Sequence, residues 1–360
     1  MLQALALQET IKREIGSEVE IIDFSSEGQK ELYSIFSKPT SFRKIVKNVL
    51  LLPVYGKLKK QKADYSKFMQ HFQLTEKHYS HNSELNELDG KYDYFVCGSD
   101  QIWNIRCPDA DDAYFLNFVN RGIRIAYAPS LGGANIAVVA KDSEKYKKLM
   151  NHMEYISIRE KNGQRWLEEM LGREVPITLD PTFLLNRDQW LRYSLKKHVI
   201  QGRYIFYYAF HYSKEQNEIV KNISKKMNIP VVSMDVKTWV LRGVFAYGVK
   251  LSPEFGPAAF LDLVSNAELV LTRSFHGVAF STIFQKKFWM LGKMVNVEGD
   301  DRAASILNQL GLENRMISLK EISAGADLLE DIDYAAVNAR LHVLQDKSIA
   351  FLKNAFAGKK

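Results

Sequence analysis

The chain has 360 residues, 46% apolar and 25% charged, with a formal net charge of +7. That balance excludes a disordered or fibrous chain, and the length exceeds what one hydrophobic core usually spans, which predicts two domains. No apolar run approaches the roughly 20 residues that cross a bilayer, and Cys97 and Cys107 are too few for a disulfide framework or a metal set.

Residues 3–14 carry apolar positions at helical spacing, with no basic region and apolar core of a secretory signal before them. A reducing, cytoplasmic setting fits. Val19–Phe24 reads as a strand, and 40–90 as a helical, basic insert. Between Glu31 and Asp64 there is no acidic residue, while Lys38, Arg43, Lys44, Lys47, Lys57, Lys59, Lys60 and Lys62 alternate with Phe42, Ile45, Val46, Val49, Leu50 and Leu51. Two readings stand: a solvated basic face, or a basic amphipathic helix lying on an anionic membrane, peripheral at its inner face. No nucleic-acid motif accompanies the charge.

Tyr94–Gly98 is a short apolar run of the buried parallel-strand kind, and Ser99-Asp100-Gln101 is its polar exit. Ile123–Ala128 is the next strand, followed by the turn Pro129–Gly133. A helix at 142–151, a strand at 155–158 and a helix from Asn162 follow, and Ile177–Leu179 ends at Asp180-Pro181. A second unit repeats the alternation: a strand at 204–208, a helix at 213–227, a strand at 231–234, a helix at 256–266, a strand at 269–272, a helix at 277–285, a strand at 288–291, and helices at 302–311 and 335–356. Strands alternating with helices predict parallel sheets. The expectation is α/β, with two doubly wound Rossmann-like domains, 1–190 and 200–360, joined near 186–203 across a cleft.

Thr272-Arg273-Ser274-Phe275-His276-Gly277 places a cation, a hydroxyl and an imidazole between a strand and a helix. Ligands bind at that edge of an open α/β sheet, and a helix N-terminus favours anions. An anion site with a proton-transfer group is one reading; a capping His276 and a surface Arg273 is the other. Asp180 either ends its strand as a functional carboxylate or only caps the turn. Asp109–Asp112 either binds a cation or is a solvated loop, and no Walker or dinucleotide glycine pattern is present.

Together, Asp93–Asn104, Ala126–Gly132, Ser157–Lys161, Leu179–Leu185 and Thr272–Gly277 resemble the motifs of the polysaccharide pyruvyl transferase family, in the right order and over nearly the whole chain. The resemblance implies a GT-B-like pair of domains and transfer of the enolpyruvyl group of phosphoenolpyruvate to sugar hydroxyls, leaving a pyruvate ketal and phosphate. It implies His276 as acid/base and Arg159 and Arg273 as donor-binding residues, with hydroxyls from Ser130 and Ser274, Asp100 facing the acceptor, and Arg302 as a further anion-binding residue. These groups would converge on one electropositive crevice. The implied partners are phosphoenolpyruvate and a saccharide or lipid-linked saccharide; beyond that donor no cofactor is implied, and a divalent metal is left open. Competing functions on this architecture are a nucleotide-sugar glycosyltransferase and a non-catalytic saccharide-binding member. Two departures stand out. Some relatives carry Arg where this chain has Ser274, with Arg273 displaced by one position. Met1–Gln8 resembles a helix that relatives place after a first strand and an Asn-Tyr-Gly-Ala-type turn, which reads as an internal methionine taken as a start; a chain truly beginning here is expected to be weakly stable and poorly active.

Overall fold

A computed structural model describes residues 1–209, 212–292 and 302–358. Its first sheet holds β1 (Tyr94–Cys97), β2 (Ile123–Ala126) and β3 (Tyr155–Ile156), in that order and all parallel. Tyr94 pairs with Ile123, and Ile125 with Tyr155. One face packs Phe95, Cys97 and Ile156 against Met150 and Leu167. The other packs Ile123 and Ile125 against Ala355. Covered on both sides, these strands need no polar alternation.

Val19–Phe24 is not a strand. It makes only the isolated bridges Ile21 to Leu74 and Phe24 to Tyr79. Between them the Thr75 hydroxyl takes the Asp23 N–H at 3.1 Å, so a side chain occupies a donor that a ladder would use. The strand expected over 155–158 shortens to two residues, with Ile158 adding a separate bridge to Ile177.

The second sheet holds β4 (Ile205–Tyr208), β5 (Val231–Ser233), β6 (Lys250–Leu251), β7 (Leu269–Thr272), β8 (Phe288–Leu291) and β9 (Met316–Ile317). The order is β6-β5-β4-β7-β8-β9, all parallel. Chain order therefore reverses between β4 and β7, a switch point that leaves a crevice beyond their carboxyl ends. Ile205, Tyr207, Leu269 and Leu271 face Val220 and Ile223 on one side. Phe206, Val270 and Phe288 face Phe260 and Phe280 on the other. The two-residue strands β6 and β9 are too short to leave a pattern in the sequence.

One apolar cluster joins the sheets. Leu5 and Ala6 of the Leu2–Ile15 helix, with Phe183 and Trp190, pack in the same core as Phe260, Val278 and Phe280. Trp190 sets its ring edge against Phe280 (centroids 5.0 Å apart, 70°) and donates from Nε1 to the Thr182 carbonyl at 2.9 Å. The last helix, Tyr334–Ala357, also bridges. Its Val337 and Leu341 belong to that cluster, while Leu352 and Ala355 cover the first sheet. At its end, Tyr94 Oη donates to the Phe356 carbonyl at 2.6 Å.

Trp190 is fully buried, so Trp190→Ala leaves a large void where the sheets meet. The expected cost is about 3–5 kcal/mol, read from the urea midpoint; a loss of under about 1 kcal/mol would show that the two sheets are not energetically coupled through this residue.

Candidate functional site

The edge beyond β4 and β7 is built by short local rules. Thr272 Oγ1 donates to the Tyr208 carbonyl at 2.7 Å and accepts the Ser274 N–H at 3.0 Å, tying the end of β7 to β4. The Phe275–Ile283 helix starts at once. Gly277 allows this, because a β-carbon there would overlap the Thr272 side chain. His276 thus sits in the first helical turn with its side chain 18% exposed.

The first sheet meets this edge with its own strand exits. Asp100 follows β1 with φ 74° and Ala128 follows β2 with φ 49°. Both are left-handed conformations in which a β-carbon costs energy, and such backbone concentrates at functional sites.

The centre is Arg159, buried among carboxylates and a ring. Its Nη1 donates to Asp180 Oδ2, its Nη2 lies 3.5 Å from Asp100 Oδ1, and its guanidinium carbon sits 4.3 Å from the centroid of the Phe275 ring. Its Nε and Nη2 are buried with no hydrogen-bond partner among the described residues. Asp180 divides its two oxygens. Oδ1 accepts the Thr182 N–H (3.0 Å) and hydroxyl (2.7 Å), capping the Pro181–Leu184 turn. Oδ2 takes Arg159 and the Ser99 hydroxyl (3.0 Å), and lies 3.8 Å from His276 Nε2. Asp180 therefore caps the turn with one oxygen, as one sequence reading has it, and joins the Arg159 cluster with the other. Burial alone would raise this carboxyl, but the Arg159 guanidinium and the Thr182 hydrogen bonds outweigh it and hold Asp180 far below the usual carboxylate range.

Gln3 completes the cluster. Its side-chain nitrogen lies 2.9 Å from Asp100 Oδ2 and 2.7 Å from His276 Nε2. A carboxylate only accepts, so the amide presents N–H to both. His276 Nε2 then accepts, and the ring proton sits on Nδ1. Nothing in the sequence points to Gln3, a polar residue on an amphipathic helix 273 positions from its partner.

The expected site residues divide. Asp100, Arg159 and His276 come together. Arg302 opens the Arg302–Leu310 helix, and its charge reaches Asp100 and Glu160. The Ser130 hydroxyl donates to Glu160 Oε1 at 3.0 Å and accepts the Gly132 N–H, so it orders its own turn. The Ser274 hydroxyl is buried with no partner among the described residues. Arg273 is half-buried, its charge reaches Tyr207, and no hydrogen bond or ion pair links its guanidinium to Asp100, Arg159 or His276 among the described residues. The crevice also differs from the electropositive one expected, because Asp100 and Asp180 sit among its cations. Asp111 accepts from the Ala113 N–H and from Asn82, Asp112 pairs with Lys145, and no metal-holding group of His, Cys, Asp or Glu occurs among the described residues.

Glu160 escaped notice in the sequence because it follows the more conspicuous Arg159. Burial pushes its carboxyl up to about 7, against Arg159, the Leu131 N–H, Arg302 and Ser130, which all favour the ionised form.

Two parallel α/β sheets contributing to one site at their facing edges define a GT-B-like fold, and comparison with solved structures agrees. A putative UDP-N-acetylglucosamine 2-epimerase from Listeria monocytogenes matches 100% of this chain and 94% of its own at 11% identity, with a TM-score of 0.56. More distant matches are the UDP-N-acetylglucosamine 2-epimerase from Rickettsia bellii (TM-score 0.47, 11% identity, 98% of this chain and 92% of that one) and the E. coli heptosyltransferase WaaC (TM-score 0.38, 11% identity, 96% and 95%). No curated protein sequence matches. The polysaccharide pyruvyl transferase family profile matches residues 1–292, and the chain belongs to that family.

The buried glutamate yields a pH signature. Between the ordinary value of 4.5 and about 7, folded Glu160 holds a proton that the unfolded chain has released. Wild-type stability should therefore fall with rising pH across that window, relative to Glu160→Gln, and the difference should be flat on either side. Urea melts at stepped pH test this; a difference that does not vary with pH would show that Glu160 is ionised throughout.

Proposed function

We propose that the chain transfers the enolpyruvyl group of phosphoenolpyruvate to two hydroxyls of a surface-polysaccharide sugar or its lipid-linked precursor, forming a pyruvate ketal. The observation that carries this reading is the Arg159 guanidinium, buried over Phe275 beside His276 with no hydrogen bond on Nε or Nη2 among the described residues. A desolvated guanidinium in that state is suited to a bidentate carboxylate or a phosphate oxygen, and the donor carries both.

In the reaction, each sugar hydroxyl loses a proton and bonds to the central carbon of the enolpyruvyl group, whose bond to the phosphate oxygen breaks. The methylene carbon takes one proton and becomes methyl; the other leaves with phosphate. His276 Nε2, the acceptor of the Gln3 amide, takes the first hydroxyl proton and returns it to the methylene carbon. Gln3 gives way to the sugar. Asp100, whose side chain is 45% exposed, is the most open carboxylate of the cluster and faces the second hydroxyl. Arg159 and Arg302 hold the donor anion.

Phosphate release from phosphoenolpyruvate should require a saccharide acceptor. His276→Ala should lower it by about 10²–10⁴-fold, and Arg159→Lys should raise KM for phosphoenolpyruvate more than it lowers kcat. A folded His276→Ala variant with an unchanged rate removes the imidazole from the mechanism. Thermal stabilisation by a nucleotide sugar, with none by phosphoenolpyruvate, replaces this reading with the glycosyltransferase one.

A further inference from the structure

The Phe42–Leu51 helix turns its apolar stripe away from the protein. Phe42, Ile45, Val46, Val49 and Leu50 fall at i, i+3, i+4, i+7 and i+8, the spacing of a core-facing stripe, yet all five are exposed, Phe42 at 81%. The opposite side rests on the chain. Leu51 is the one buried residue of the helix, Asn48 exchanges two hydrogen bonds with the Ser37 backbone (3.0 and 2.8 Å), and Lys44 reaches Glu31 at 3.6 Å. Leu52, 58% exposed, continues the stripe beyond the helix.

Exposed cations flank this helix in the sequence. Lys38, Arg43, Lys57, Lys59 and Lys62 are exposed. Asp64 and Glu254, the nearest acids on the following helix and its neighbour, are both taken by Lys60.

We propose that this helix docks on an anionic phospholipid bilayer, its stripe in the headgroup and acyl boundary and the flanking cations on lipid phosphates. Charge complementarity selects that occupant. A second copy related by a two-fold axis would set the same cations against themselves. Nucleic acid would satisfy the cations and leave the stripe in water. Among the described residues no helix is long and apolar enough to cross a membrane, and the attachment proposed is to a surface. The inference goes beyond the reading of the active site, and lipid binding is measured without turnover.

The test is flotation of the full chain with vesicles of phosphatidylcholine alone or containing about one-third phosphatidylglycerol. The wild type should bind the anionic vesicles at least about tenfold more than the neutral ones, and less at raised salt. Phe42→Ser with Val49→Ser should lower that binding about tenfold, and Lys38→Glu with Arg43→Glu should do the same. All four side chains are exposed, so thermal melts should stay within a few degrees of wild type. Equal binding by wild type and the Phe42→Ser, Val49→Ser variant overturns the proposal. So does a wild-type dimer in light scattering that this variant dissolves, with no vesicle binding, which would make the face an interface between copies.

Discussion

A guanidinium withheld from water sets the terms for the whole site. Arg159 cannot lose its charge, so its burial has to be compensated by position rather than by protonation. Asp180 supplies the opposing charge and is fixed by Thr182 and Ser99, and Phe275 supplies a polarisable face. Each partner comes from a different turn: Ser99 after β1, Asp180 before the Pro181–Leu184 turn, and Phe275 after β7. The site therefore exists only when those three turns are in register, and Nε and Nη2 are what the arrangement leaves over.

The register in turn depends on the core between the sheets. His276 rides on a helix of the second sheet, while Arg159 and Asp180 belong to the first. The imidazole lies 3.8 Å from Asp180 Oδ2 because the Phe275–Ile283 helix packs through Phe280 on Trp190, a residue of the segment that Asp180 begins. Gln3 spans the same gap from a third direction, its helix held by Leu5 and Ala6 in that core. Loss of packing there and loss of site geometry are one event, which is why the core and the chemistry cannot be apportioned to separate halves of the chain.

The sequence made the α/β class and its parallel sheets legible because buried parallel strands appear as uninterrupted apolar runs, as Tyr94–Cys97 and Leu269–Thr272 do. Val19–Phe24 carries the same signal without the outcome, since a threonine hydroxyl on the neighbouring segment competes for its backbone. Of the site, His276, Arg159 and Asp100 were visible as polar groups at strand exits. Gln3 was invisible because its role comes from where its helix docks, which no local pattern encodes. The cations at the strand exits stand out in the family motifs, while the structure sets Arg159 and Arg302 beside Asp100 and Asp180.

Arg159 and the Phe42–Leu51 helix both break the rule that apolar groups go in and charged groups go out, and they break it in opposite senses. Arg159 is a charge taken inside with no hydrogen bond on Nε or Nη2 among the described residues; the Phe42–Leu51 helix is an apolar stripe turned outside. Each arrangement costs free energy, and under the readings proposed above a small anion would lower it in one case and an anionic surface in the other. Asp180 offsets part of the cost at Arg159, so what an anion could add there is hydrogen bonding to Nε and Nη2. The substrates proposed, a water-soluble donor and a lipid-linked saccharide, would call for one feature of each kind.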